Sequence, residues 1–131
     1  MYLLDTDTLI FFLKGQEQVV ANFKASSGQP KAFSVINYGE LLYGAHKSAR
    51  VQENLAKVYR LAELYPVVEI SRAVMDCFGG IKAELSSKGI CVDDFDLLIG
   101  CTALTLNYTV VTNNTKHFEK IGGLKLVNWS V

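Results

Sequence analysis

The sequence predicts an α/β fold built on a mainly parallel central sheet covered on both faces. Two observations carry this expectation. Short β-type runs alternate with helical patterns along the chain, which requires crossover connections between strands. The 131 residues are 50% hydrophobic, enough for one domain over 1–131 to bury a real core. No repeat or low-complexity tract interrupts it, and the two prolines, Pro30 and Pro66, mark no linker.

The elements follow in order. "YLL" at 2–4 reads as a buried strand, and 8–13 and 16–25 read as helical, broken at Gly15 and ended before Gly28. "KAFSVI" at 31–36 is the next strand. Asn37 then caps a helix through Leu41, Leu42 and Ala45, with Glu40 at its third position. A further helix is expected over 49–64, and "PVVEI" at 66–70 is a third strand. Ser71 caps a helix in which Val74, Phe78, Ile81 and Leu85 recur at helical spacing up to Gly89. Asp93 and Asp94 cap a helix over 95–106, and "TVV" at 109–111 is a fourth strand. "TNNTKHF" is a turn into one helical turn, and "LKLVNW" at 124–129 is the last strand.

Several function classes are disfavoured by composition. Thirteen basic and thirteen acidic side chains cancel, so no global field draws in nucleic acid or an anionic membrane, and any polyanion site must be a local patch. Cys77, Cys91 and Cys101 lie in apolar segments without C-x-x-C spacing and read as reduced core residues. No basic region precedes the first apolar stretch, and no run approaches the ~18 apolar residues of a membrane span, so a soluble cytoplasmic protein without membrane contact is expected.

The acids carry the chemistry. In a parallel sheet ligands bind beyond the carboxyl ends of the strands. Asp5 follows the first strand, Glu40 lies a helical turn beyond the second, Asp96 opens the helix before the fourth, and Thr112 to Asn114 follow that strand. Each acid has an ordinary explanation as a helix cap or as a partner of a helix dipole, worth ~0.3–1 kcal/mol. Caps do not explain three acids from distant segments converging on one edge, where like charges repel. A hard divalent cation such as Mg²⁺ resolves that repulsion through oxygen ligands.

"YLLDTDTLIFFLKG", "FSVINYGELLYGAHKS", "KAELSSKGICVDDFDLLIGCTAL" and "VVTNNTKHFEKIGGLKLVNW" together resemble, in order and over nearly the whole chain, the PIN-domain ribonuclease toxins of the VapC type. The resemblance implies a PIN-like α/β/α sandwich, cleavage of RNA dependent on Mg²⁺ or Mn²⁺, homodimerisation, and inhibition by a cognate antitoxin protein. Carried over residue by residue, Asp5, Glu40 and Asp96 match the family's acids and Thr112 its hydroxyl residue. Asp5 and Asp96 are the expected metal ligands, Glu40 positions or deprotonates the attacking water, and Thr112 and Asn114 are supporting or phosphate contacts. Two departures stand out: the family usually has Asn where this chain has Asp7, and often an acid where it has Asn114 or His117. Asp7 is expected to accept backbone N–H bonds at the start of the first helix.

Substrate grip needs local positive charge. Lys47, Arg50 and Lys57 are expected on roughly one helical face, where they could contact RNA phosphates, as could Lys14 and Lys116; Tyr38 and Tyr43 could stack on bases. Two other readings stay open. "LLDTDT" also fits the D-x-D-x-T signature of haloacid-dehalogenase-type phosphatases, with Asp5 as nucleophile and Asp7 as acid and base. A non-enzymatic interaction module, whose acids are only caps, is the third.

Overall fold

Leu3, Leu4, Phe33, Val110 and Val111 are all fully buried, including residues adjacent in the chain, so these strands bury both faces. That is the burial pattern of a parallel sheet between helical layers. The computed structural model describes residues 1–131. In chain order the elements are β1 (Tyr2–Leu4), α1 (Thr6–Leu13), α2 (Glu17–Ala25), β2 (Lys31–Ser34), α3 (Val35–Lys47) and α4 (Val51–Leu64). There follow β3 (Val67–Val68), α5 (Arg72–Ser87), α6 (Asp94–Leu106), β4 (Thr109–Val111), α7 (Thr115–Phe118) and β5 (Leu126–Val127).

The strands lie in the order β3-β2-β1-β4-β5, and every neighbouring pair is parallel. Alternation along the strands sorts their side chains into two cores. Leu4, Phe33 and Val111 face Leu9, Phe23, Leu41 and Leu61 of α1 to α4, while Leu3, Ala32 and Val110 face Val74, Leu97, Ile99 and Phe118 of α5 to α7. The result is the expected α/β/α sandwich. β1 is central, with β2 on one side and β4 on the other, so the chain order reverses there. A crevice at such a switch point is where ligands of open parallel sheets bind.

β1 and β4 lie where the sequence places them, but several boundaries move. β2 ends at Ser34, and Val35 and Ile36 already belong to α3. Ser34, not Asn37, is the N-cap: its hydroxyl accepts the Asn37 N–H and the Asn37 side chain accepts the Ser34 N–H, a reciprocal capping box. Glu40 therefore lies inside α3 rather than at its third position. α4 starts at Val51 rather than 49, β3 and β5 shrink to two residues each, and Asp93 alone caps α6. Cys101 is buried and Cys77 half-buried, but Cys91 is exposed, which corrects its reading as a core residue; all three are free thiols. No helix is long and apolar enough to cross a membrane.

The C-terminal segment is anchored through Trp129. Its ring meets Tyr2 edge-on at 5.0 Å and Phe23 at 5.2 Å, and its carbonyl accepts the Asn22 side-chain N–H at 3.0 Å. Trp129→Ala is expected to lower unfolding stability by ~3–5 kcal/mol through the cavity it opens. Equilibrium urea denaturation with an unchanged m-value checks this.

Candidate active site

Asp5 is the residue where β1 becomes α1. Its N–H donates to the Val111 carbonyl at 2.9 Å and its carbonyl accepts the Leu9 N–H at 3.1 Å, so strand pairing and helix start together fix its backbone. Asp5 is also the N-cap of α1, and the residue is only 5% exposed. Its Oδ1 accepts the Thr6 N–H at 2.9 Å and an Asn37 side-chain N–H at 3.1 Å, and its Oδ2 accepts the Thr112 hydroxyl at 2.7 Å. A carboxylate offers about four lone-pair positions. Three are taken, and the one left is on Oδ2.

The other groups gather around this carboxylate. Asn37, fully buried, also donates to Thr6 Oγ1 at 3.0 Å, and the Thr6 hydroxyl donates to Glu40 Oε1 at 2.7 Å. Asn114 donates its backbone N–H to Thr112 Oγ1 at 3.0 Å. Contrary to the expectation from sequence, Asp7 is not the residue that caps its helix; Asp5 holds that position, and Asp7 points across the crevice instead. Its Oδ2 accepts the Asn113 N–H at 3.1 Å and so ties α1 to the loop after β4, while its Oδ1 accepts the Thr8 hydroxyl at 3.3 Å. Asp96, in the first turn of α6, stands 3.3 Å from Nδ1 of the exposed His117.

The electrostatics show how close these acids are. Burial, and then the charge of Asp7, raises the Asp5 pKa from 3.8 to about 6; the bonds from Thr112 and Thr6 oppose the rise, and Asp96 adds to it. Burial raises Asp7 as well, against bonds from Asn113 and Thr8. Asp96 is raised by burial and by Asp93, a rise that His117 counters and Asp7 adds to. Thus Asp5, Asp7 and Asp96 feel one another across the switch point.

The three acids do not form a ready-made cage, because no three His, Cys, Asp or Glu side chains are set to hold one ion. Mg²⁺ needs no such cage, since it usually takes one or two carboxylates and keeps several waters. An open lone pair on Asp5 Oδ2, a second carboxylate in Asp96 and an all-oxygen donor set fit that mode. Glu40 reaches Asp5 only through Thr6.

The basic residues are scattered, not aligned. α3 ends at Lys47, Arg50 precedes α4, and Lys57 is within it, so the expected single face does not exist. Lys47 sits over the Tyr43 ring at 5.6 Å, and the exposed Arg50 pairs with Glu53 at 3.4 Å. Tyr38 packs against Phe33, whereas Tyr43 is exposed. Lys14 and Lys57 instead line one cavity of about 400 Å³ with Glu40, between Ile10 and Leu13 of α1 and Val58 of α4. Sequence reasoning missed this groove, along with Thr6 and the inward role of Asn37. A polar pair three residues apart, Ser34 and Asn37, was the available signal.

The PIN domain family matches residues 2–124. Over 130 residues the chain is 35% identical to the tRNA(fMet)-specific endonuclease VapC of Shigella flexneri, covering 98% of each. It is 31% identical over 131 residues to ribonuclease VapC2 of Rickettsia felis, again covering 98% of each. The fold matches VapBC2 from Rickettsia felis, solved bound to a DNA fragment from its promoter, with a TM-score of 0.90 at 31% identity and 98% coverage of both chains. DNA-bound VapBC from Salmonella typhimurium also gives 0.90, at 34% identity and 98% and 97% coverage. The shared fold extends over nearly the whole chain. The chain belongs to the PIN-domain family, within its VapC-type ribonuclease toxins.

The raised acids give a pH prediction. Between about pH 4 and pH 6 the folded protein holds a proton on Asp5 that the unfolded chain has released. Unfolding stability in EDTA therefore falls as pH rises through that window, by on the order of 2–3 kcal/mol for Asp5, and Asp7 and Asp96 act in the same direction. Asp5→Asn should flatten the dependence. Thermal midpoints measured from pH 4 to 7 check this, and identical slopes in both proteins would contradict it.

Proposed function

We propose that this protein is a divalent-cation-dependent endoribonuclease and the toxin of a toxin–antitoxin pair. The observation that carries the reading is the convergence of Asp5, Asp7 and Asp96 at the switch point of a PIN fold, with one lone pair of Asp5 Oδ2 left open. The VapC relatives, an endonuclease and a ribonuclease by name, support the reaction class. The solved relatives from Rickettsia felis and Salmonella typhimurium are VapBC complexes, which supports an antitoxin partner for this chain. We extend the reading to a homodimer, as the family resemblance implies, acting in the cytoplasm.

In this reading Asp5 and Asp96 hold Mg²⁺ or Mn²⁺. When bound, the cation makes the attacking water more acidic and offsets charge that builds on the phosphate. Thr112, braced by the Asn114 N–H, keeps Asp5 Oδ2 turned so that its free lone pair stays available. Glu40 takes the proton from the water that attacks the phosphodiester, and the leaving 3′ or 5′ oxygen departs as its bond to phosphorus breaks and takes up a proton from solvent. Lys14 and Lys57, on the cavity that Glu40 lines, supply the local positive charge for the RNA backbone. Lys47 and Arg50, one over an aromatic ring and the other paired with Glu53, have a lesser part.

Asp5→Asn, Glu40→Gln and Asp96→Asn are each expected to reduce Mg²⁺-dependent RNA cleavage at least ~10²-fold while leaving the circular-dichroism spectrum unchanged. Mg²⁺ should raise the thermal midpoint of the wild type by mass action and that of Asp5→Asn much less. Equal shifts would place the cation elsewhere. Asp7→Asn separates this reading from the phosphatase one. An amide still accepts the Asn113 N–H, so a nuclease keeps a substantial fraction of its activity. A phosphatase that needs Asp7 as acid and base would lose ~10²–10⁴-fold. Phosphomonoester turnover by the wild type that vanishes in Asp7→Asn would favour the phosphatase.

A further inference from the structure

We propose that Thr6 is a positioning residue for Glu40, set by a directed chain of hydrogen bonds that starts at the Ser34 backbone amide and passes through Asn37. The proposal rests on the nuclease reading and adds to it residues that bear no charge.

The direction of the chain follows from donors and acceptors. A carboxamide can be turned two ways, and its neighbours decide which is correct. The Ser34 backbone N–H can only donate, and it meets the Asn37 side chain at 3.1 Å, so the amide oxygen faces Ser34. The Ser34 hydroxyl donates to the same oxygen at 2.7 Å. The amide nitrogen must then face the other way. There it finds Asp5 Oδ1 at 3.1 Å and Thr6 Oγ1 at 3.0 Å, and a carboxylate oxygen can only accept. Both ends of Asn37 therefore demand the same orientation.

One further step reaches Glu40. Thr6 Oγ1 has a single proton, and since Oγ1 already receives the Asn37 N–H, that proton is free to go to Glu40 Oε1 at 2.7 Å. Oε1 is thereby held as an acceptor. Oε2 receives no bond from this chain and is the oxygen left to take a proton from water. Asn37 and Ser34 are both 0% exposed, so solvent does not compete for these bonds.

The same chain couples the two acids. Asn37 donates to Asp5 and Thr6 together, and the Thr6 backbone N–H donates to Asp5 Oδ1 at 2.9 Å. The capping box alone would need only the oxygen end of Asn37. Its nitrogen end, which adds nothing to the cap of α3, points at the two residues that connect to catalysis.

The test separates positioning from folding. Thr6→Val removes the hydroxyl and keeps the shape; Thr6→Ser keeps the hydroxyl. With a labelled RNA oligonucleotide and Mn²⁺, Thr6→Val should lower kcat ~10–10²-fold. KM for the RNA and the calorimetric affinity for Mn²⁺ should both stay within about twofold, because the Asp5 contacts remain. Thr6→Ser should recover most of kcat. Thr6→Ala, which cannot overfill the site, serves in place of the valine variant if that protein does not fold. A kcat equal to wild type in the hydroxyl-free variant overturns the relay and leaves the nuclease reading standing. A loss that serine does not restore, or that falls equally on Mn²⁺ affinity, makes Thr6 merely structural and overturns it too. Wild type that cuts no RNA with added cation overturns both.

Discussion

The burial of one carboxylate organises this molecule. Taking Asp5 out of water costs several kcal/mol unless its oxygens are bonded, and the chain meets that cost from three separate elements. α1 supplies the Thr6 N–H, α3 supplies Asn37, and the segment after β4 supplies Thr112. Each bond requires its own piece of the fold in place, so the sheet order with β2 and β4 flanking β1 is what makes the burial possible. What remains uncompensated is charge. Asp7 and Asp96 stand near enough to push the Asp5 proton affinity upward, so the metal-free fold holds negative charges together that a cation would relieve.

The distribution of charge around the rim differs from what the family resemblance leads one to expect. The acid often found after β4 is replaced here by Asn114 and His117, while an acid stands at Asp7, usually Asn. The structure connects the two departures. Asp7 reaches across to the Asn113 N–H, and His117 stands against Asp96. An acid thus stands on the α1 side of the crevice, and on the β4 side the His117 ring meets Asp96.

The sheet and most helices were legible because their signals are local. Buried strands show as apolar runs, and amphipathic helices show as apolar residues at helical spacing. The end of β2 is not legible because Val35 and Ile36 are β-branched, while the feature that stops the strand is the bond that the Asn37 N–H donates to the Ser34 hydroxyl. Asp5, Thr112 and Asn114 could be placed at one edge from strand ends, and Asp96 from the start of the helix that precedes β4. Thr6, Asn37 and the Asp7 bridge could not. Their bonds join residues 34, 32 and 106 positions apart, and no periodicity in the sequence encodes such a pairing. The basic patch failed for the opposite reason: a single face was assumed across a helix break at Ser48 to Arg50.

The contacts of Asp5 also have an order in time. The bond to Asn37 closes 32 residues, but the bond from Thr112 closes 107. A chain emerging from the ribosome presents Asp5, Thr6, Asn37 and Glu40 early and lacks both β4 and Thr112 until most of its length has been made. Before then, β1 can pair with β2 alone, and the carboxylate lacks the hydroxyl that fixes its Oδ2. The full set of bonds around Asp5 is thus completed only in the final stretch of synthesis.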